Sequence, residues 1–249
     1  ESGKYFKIIS YEKIINCNLF KNLKLGLDPK LFTHEQIKNY FLKHNNVKYL
    51  SNNLVDEIKT HKVKNNVPFF SLKDEIIGEN SKSKIKKITD YLKKNKADNL
   101  FVTAPENVAW ILNIRGADGP NSPIPNSRLI INKLKKVFLI TEPQKAKKII
   151  KQKIINKNQL IATRDLPEKI LGLGGKNFII DNKSCSVFYE NIIKSKYKII
   201  KKEDPTYLLK AIKNNTEINN MIKSHVIDGV ALTKFIYWIK KVNKKKITE

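Results

Sequence analysis

Arginine is scarce in this chain, although basic residues are abundant. Only three of its 49 basic residues are arginine, so the formal net charge of +26 comes almost wholly from lysine. Proteins that read nucleic acids usually add arginine, aromatic stacking platforms or a concentrated basic stripe to their lysines. Here the lysines recur along the whole chain, in short pairs such as Lys86-Lys87 and Lys201-Lys202. This pattern indicates a compositional bias and disfavours specific nucleic-acid binding, although weak attraction to polyanions follows from the charge.

Cysteine and long apolar runs are scarce as well. Cys17 and Cys185 are the only cysteines and lie too far apart in sequence to form a metal-binding motif. We therefore expect a reduced compartment and two small core residues. No apolar run approaches the roughly 18–20 residues of a membrane-spanning helix, and no signal peptide is visible. The sequence predicts a cytoplasmic protein that has no membrane partner.

Recognisable motifs for catalysis and metal binding are also missing. The histidines lack the spacings that place two imidazoles on one helix face, and no two acidic residues form an acid–base pair. The glycines of Gly172–Lys176 precede a predicted strand, so they indicate a helix end and not a phosphate loop. The residues themselves predict no catalytic residue, no metal site and no cofactor within this chain. The histidines are His34, His44, His61 and His225.

Strand and helix signals alternate along most of the chain, which predicts an α/β layer structure. Residues 5–15 give a weak strand signal, and Leu23–Asp28 alternates like a strand. Thr33 and Gln36 have the spacing of a capping box and predict a helix that runs to His44. Residues 127–132 and 136–140 predict a hairpin.

Composition and periodicity divide the chain into three parts. Residues 1–82 are predicted to hold a partial first domain that ends in a linker, and residues 83–203 a second domain whose first helix is capped by Ser83. Residues 204–249 carry a long helix from Thr216, on which His225 is expected to be packed. Its apolar stripe requires a large partner surface. The stripe consists of Ile218, Met221, Ile222, Val226, Leu232, Ile236 and Ile239.

The segment Glu106–Pro120 is the most informative stretch. Residues 105–108 predict a helix or turn, and the apolar run after them predicts a buried strand followed by a turn. The segment contains Trp110 and the rare Arg115. A guanidinium group is a planar fork of donors that suits a carboxylate or a carbonyl. Loops that leave a rigid element often carry binding groups.

Two segments taken together resemble aminopeptidase P, the Xaa-Pro aminopeptidase. One is the run DNLFVTAPENVAWILNIRGAD at 98–118. The other comprises Lys210–Asn214, Glu217, Met221, His225 and Asp228–Leu232. Residues 25–32 and 53–56 fit the first domain of the same family, so the resemblance covers nearly the whole chain. It implies an α/β fold of creatinase N-terminal-like domains, in which helices flank a mixed sheet, followed by the first long helix of a pita-bread catalytic domain.

The resemblance also implies a function. Family members use two divalent metals, typically manganese, held by two Asp, one His and two Glu, to hydrolyse the peptide bond before a proline in second position. None of these ligands can be placed in this chain, so we expect an inactive, internal portion of such an enzyme. The chain opens on Glu1, not on methionine, and this agrees with that expectation.

In the enzyme that the resemblance implies, Arg115 and Asp118 are expected to help shape the rim of the substrate cleft or a subunit contact of a homo-oligomer, and the alternative is that Arg115 pairs within its own domain. Trp110 is expected to pack in the core of the second domain. The loop at 121–127 lacks the aromatic pair that many members carry. Two alternatives stay open: a stand-alone dimerisation or peptide-binding module with a creatinase fold, and a basic protein associated with nucleic acid.

Overall fold

The first unit of the described residues is small and is built on a parallel strand pair. The structure, a computed structural model, describes residues 10, 13, 21–59 and 66–242, with the backbone alone for Asp74. The strand predicted at 5–15 therefore lies outside the described residues. The first elements are β1 (Lys24–Leu27), α1 (His34–Tyr40), β2 (Asn46–Tyr49) and α2 (Leu54–Ile58).

The predicted capping box of α1 is confirmed. The Thr33 side chain accepts a hydrogen bond from the backbone N–H of Gln36 at 3.2 Å, and the Gln36 side chain accepts one from the Thr33 N–H at 2.9 Å. Two of the free N–H groups at the start of a helix are satisfied in this way. The helix ends at Tyr40, one turn earlier than predicted.

The second unit alternates strands and helices. Its elements are β3 (Phe70–Ser71), α3 (Asp74–Ile77), α4 (Ser81–Lys94), β4 (Asn99–Val102), α5 (Pro105–Leu112), β5 (Ile114–Arg115), β6 (Arg128–Asn132), β7 (Val137–Ile140), α6 (Pro143–Lys151), β8 (Leu160–Ile161), α7 (Leu166–Leu171), β9 (Asn177–Ile180), α8 (Val187–Lys196) and β10 (Lys198–Lys201). The helices α9 (Thr206–Ala211) and α10 (Asn215–Lys241) follow.

A mixed six-stranded sheet forms the centre of this unit, in the order β10-β9-β4-β6-β7-β8. β10, β9 and β4 are parallel, whereas β6 runs antiparallel to both β4 and β7, as the predicted hairpin requires. Side chains of β4 alternate between two cores. Leu100 and Val102 pack with α4, α5 and α6, while Phe101 packs with α7 and α8. The predicted α/β fold with helices flanking a mixed sheet is confirmed.

The stretch predicted as a linker contains regular structure. β3 pairs antiparallel with β5, and Phe69 just before it is fully buried in the core of the second unit. Ser83 does not cap α4, because the Asn80 side chain accepts the hydrogen bond from the Ser83 N–H at 3.0 Å. Asparagine is as good an N-cap as serine, and Ser83 is already in the first turn.

The apolar run of the segment 106–120 is a helix, so the predicted strand is wrong there. Pro105 starts α5 at a position where its missing N–H costs nothing, and Asn113 ends it in the left-handed conformation at φ 55°. Only Ile114–Arg115 is a strand. A short apolar run that is buried on several sides has no periodicity that separates strand from helix.

The long helix α10 is confirmed and begins one residue before Thr216, with Asn214 as its cap. No residue of α10 is buried. His225 is exposed, so the prediction that it is packed is wrong for the described residues. Among the helices in the described part of the chain, none has both the length and the apolar character to cross a membrane.

Candidate functional site

Arg115 lies at the C-terminal end of α5. The helix stops at Asn113, and β5 carries Arg115 back alongside its last turn. One guanidinium nitrogen, Nη1, donates to the carbonyl of Ile114 at 2.9 Å and is 3.4 Å from that of Ala109. The side chain is half-buried, and this burial lowers the pKa of Arg115. Arg115 thus binds carbonyl groups of its own unit.

A second cation, Lys84 of α4, reaches the same helix end. Its side chain is 2% exposed, and Nζ donates to the Trp110 carbonyl at 2.9 Å and to Asn113 Oδ1 at 2.6 Å. The same atom is 4.1 Å from the centre of the Trp110 ring, a cation–π distance. Burial lowers the pKa of Lys84 to about 8, against the opposing effect of Glu79 and Glu217. Sequence reasoning missed Lys84, although it precedes Ile88 by one helical turn on the apolar face of α4.

The two cations compensate the partial negative charge at the end of α5. Cations that bond to the last carbonyls of a helix interact favourably with its dipole. Within the described residues, neither Lys84 nor Arg115 forms an ion pair with a carboxylate. The guanidinium nitrogens of Arg115 other than Nη1 have no hydrogen-bond partner there and are not buried. Arg115 therefore has donors left for a further acceptor.

Asp118 closes the loop that follows. One carboxylate oxygen accepts a hydrogen bond from the Asn126 N–H at 2.6 Å, and the other pairs with Lys145 of α6. The loop approaches its own end closely, because a Cβ at Gly116 would lie 2.8 Å from the Cα of Pro125. Asp118 and Arg115 bond to different partners. The role of Asp118 within this unit is to fix the loop between residues 118 and 126.

Trp110 packs against the core of the second unit, as predicted, and is half-buried. Its indole nitrogen is buried and has no hydrogen-bond partner among the described residues. The indole therefore contributes apolar contact and a face for Lys84.

The first turn of α5 bonds to the segment after the sheet. The buried Asn107 donates to Asp204 Oδ2 at 2.8 Å and accepts from Lys210 Nζ at 2.6 Å. The Tyr207 hydroxyl lies 3.2 Å from a carboxylate oxygen of Glu106. Burial raises the pKa of Asp204, which is 2% exposed. No local sequence pattern indicates this network, because its partners are about a hundred residues apart.

The described residues contain no group of three or more His, Cys, Asp or Glu side chains that could hold a metal ion.

Cys185 is fully buried, and burial raises the pKa of its thiol to about 12. A thiol in such surroundings is unreactive at neutral pH. Gly172 ends α7 ahead of β9, as predicted for a helix terminator.

A mixed sheet with helices on both faces, preceded by a smaller unit, defines the class as creatinase-like α/β. The model of the Creatinase/Prolidase N-terminal domain family matches residues 60–217. The chain belongs to this family.

The relatives are Xaa-Pro aminopeptidases. Xaa-Pro aminopeptidase 1 of Dictyostelium discoideum is 29% identical over 247 residues, which cover 93% of this chain and 39% of that protein. The Drosophila melanogaster Xaa-Pro aminopeptidase ApepP is 28% identical over 91% of this chain and 39% of its own length. The chain thus spans about two fifths of the length of the curated relatives it matches, and the resemblance to Xaa-Pro aminopeptidases is confirmed.

A solved structure shares the fold. The X-prolyl aminopeptidase of Caenorhabditis elegans, described as a cytosolic enzyme with a di-nuclear active site, superposes with a TM-score of 0.77 at 22% identity. The match covers 94% of this chain and 40% of that one. At this identity the likeness establishes the fold, and it extends over nearly all of the chain.

Proposed function

We propose that this chain is the non-catalytic N-terminal portion of a dinuclear-metal Xaa-Pro aminopeptidase, which removes the N-terminal residue that precedes proline. The observation that carries the proposal is the pattern of coverage. The sequence match takes in 93% of this chain but only 39% of the Dictyostelium discoideum enzyme. In this proposal the intact enzyme is cytoplasmic, acts on peptides and forms a homo-oligomer.

The chemistry of the proposed enzyme lies outside the described residues. Two divalent ions, manganese in this proposal, would generate a hydroxide and polarise the scissile carbonyl. The described residues do not fit such a centre, because no three of their His, Cys, Asp and Glu side chains come together. We therefore assign no catalytic step to them.

The exposed apolar surface of α10 supports the proposal that the enzyme has a further domain. Met221 is 51% exposed and Trp238 is 48% exposed, and large apolar side chains lie on more than one side of the helix. A helix that is apolar on several sides is typical of one that is buried in a larger core. In the proposed enzyme, α10 is the first helix of the pita-bread catalytic domain and is covered by the rest of that domain.

Arg115 and Asp118 support substrate access or subunit contact in the proposed enzyme. The free donors of Arg115 suit a carboxylate of a peptide or of a neighbouring subunit. Asp118 fixes the loop beside it through Asn126 and Lys145. In this proposal Arg115 binds the peptide or the neighbouring subunit and Asp118 orients the loop, and neither residue takes part in bond cleavage.

The first test compares this chain with the intact gene product. We expect the 249-residue chain to leave an Xaa-Pro peptide unhydrolysed in the presence of Mn²⁺, and the intact gene product to hydrolyse it and to lose activity on chelation. Release of the N-terminal amino acid is the measurement. A gene product that ends within this region and dimerises without activity would favour the stand-alone module instead.

The second test concerns Arg115 in the intact gene product. Replacement by alanine is expected to lower kcat/KM or dimer affinity by about ten- to hundred-fold, which corresponds to one charged hydrogen-bonding contact. Steady-state kinetics and analytical ultracentrifugation measure the two effects. Arg164→Ala is the matched control, since the Arg164 side chain is 88% exposed and its one ion pair among the described residues is with the adjacent Asp165. Unchanged kinetics and an unchanged oligomer in the Arg115 variant would remove this residue from the proposal.

A further inference from the structure

Helix α5 is bonded at its first turn to the segment that leads into α10, and at its last turn to a turn that α10 contacts. At its first turn, Asn107 joins α9 through two hydrogen bonds, one from its amide group to Asp204 and one from Lys210 to its carbonyl oxygen. Because Asp204 is buried, this contact holds the entry to α9 against the second unit. The Tyr207–Glu106 contact adds a third bond between the first turn of α5 and the same segment.

At its last turn, α5 is joined to the turn at 76–79. The Asn113 side chain donates to the Glu79 carbonyl at 3.0 Å. The same turn receives two bonds from the start of α10, from Asn214 to the Ile77 carbonyl at 2.8 Å and from Asn220 to the Ile76 carbonyl at 3.2 Å. Carbonyls at the end of a short helix such as α3 lack partners within the helix. Here asparagine side chains from α5, from the cap of α10 and from α10 itself supply them.

Gly78 allows the two helices to meet at this turn. Its φ of +65° is a conformation that side chains disfavour, and a Cβ there would lie 2.5 Å from Asn214 Oδ1 and 2.6 Å from the Cβ of Thr216. The base of α10 therefore rests directly on the backbone of the turn. Any larger residue at position 78 must displace either the turn or the helix.

The rest of α10 has no comparable support within the described residues. None of its side chains is buried, and its hydrogen bonds to other elements come from its cap and its first two turns. A helix of 27 residues is about 40 Å long, so a tilt of about 10° at its base moves the far end by about 7 Å. Small changes at the base thus determine where the far end lies.

We propose that Asn107, Asn113, Gly78 and Asn214 are positioning residues that set the direction of α10, and we call them the α10 anchor. Helix α5 is its rigid centre, with Asn107 at one end and Asn113 at the other. This gives the segment at 106–113 a role that neither Arg115 nor Asp118 fills. The claim that the anchor also places a downstream catalytic centre rests on the proposed function. The claim that the anchor sets the direction of α10 is independent of the proposed function.

The experiment measures the direction of α10 in this chain by electron paramagnetic resonance. Spin labels are placed at Leu134 and Tyr237, two exposed positions, in a Cys17→Ser background in which the remaining Cys185 is buried. The unaltered anchor is expected to give one narrow distance distribution. Gly78→Ala and Asn214→Ser are expected to shift or widen it by up to about 6 Å, because Tyr237 lies about 33 Å along α10 and a tilt of about 10° moves it by that amount. Serine at 214 keeps a helix cap but removes the amide that bonds Ile77.

The control is Asn177→Ala, which removes a bond of the same kind, from an asparagine amide to the Lys96 carbonyl, between elements that do not touch α10. It is expected to leave the distance unchanged. Circular dichroism checks that the variants remain folded, and should Gly78→Ala fail to fold, Asn214→Ser decides alone. Folded anchor variants with the parent distance would overturn the inference. No substrate or metal is present, so the result is independent of the proposed aminopeptidase activity.

Discussion

Phe69→Ala is expected to lower the free energy of unfolding by about 3–5 kcal/mol, the range for a large aromatic side chain removed from a core. The Phe69 ring is fully buried within the core that α4, α5 and α6 share. A Cβ at Gly116 would lie 3.1 Å from the ring, so the backbone there packs closely on it. The Phe69 N–H also bonds to the Lys145 carbonyl at 2.8 Å. Urea unfolding of the variant and of the unaltered chain measures the loss.

The adjacent Phe70 is the matched control. It is 37% exposed, and Phe70→Ala is expected to cost less than about 1 kcal/mol. The pair also tests the domain division at 82/83, which remains a prediction. Because Phe69 lies in the core of the second unit, its replacement is expected to lower the free energy of unfolding of that unit. Equal costs for the two variants, or a loss confined to a separate transition of the first unit, would contradict this assignment.

Elements with a local signal could be predicted from the sequence. The capping box of Thr33 and Gln36 acts within four residues, and the structure has both of its hydrogen bonds. The strands β6 and β7 of the predicted hairpin likewise lie within one residue of their predicted bounds. In these places, propensity and hydrophobic pattern agree with the packing that the fold imposes.

Elements that depend on tertiary contacts could not be predicted. The run Val108–Leu112 is apolar on consecutive residues, and its helical state follows from its place between β4 and β5. The cap of α4 could be Asn80 or Ser83 by residue type, and only the path of the chain after Gly78 selects Asn80. Burial on several sides removes the periodicity on which sequence interpretation depends.

The candidate site also contains residues that the sequence indicates and residues that it does not. Arg115 stands out in the sequence because arginine is rare in this chain. Lys84 is one of many lysines, and its partner Asn113 lies 29 residues away. Asn107 and Asp204 are 97 residues apart. A charged or amide side chain whose hydrogen-bond partner is so distant in sequence cannot be recognised from a local sequence pattern.

The second large effect expected is a change in the free energy of unfolding with pH in the alkaline range, and Lys84 is its cause. Burial lowers its pKa from 10.5 to about 8 in the folded protein. Between these two values the unfolded chain binds a proton that the folded chain has released. The Lys84 contribution to stability therefore rises with pH through this window and is lost as the pH falls to about 8. At neutral pH the buried ammonium carries a penalty of about 3 kcal/mol relative to its state above pH 10.5.

Lys84→Met removes this titration while it keeps the length of the side chain. The unfolding free energy of the unaltered chain minus that of the variant is expected to rise by about 3 kcal/mol between pH 8 and pH 10.5. The lost bonds to Trp110 and Asn113 add an offset that varies little with pH, because a neutral amine still donates. Lys86→Met is the control, since Lys86 is an exposed lysine of the same helix, and its difference is expected to be flat. A flat difference for Lys84→Met as well would show that the amine is hydrated and keeps its proton in the folded state.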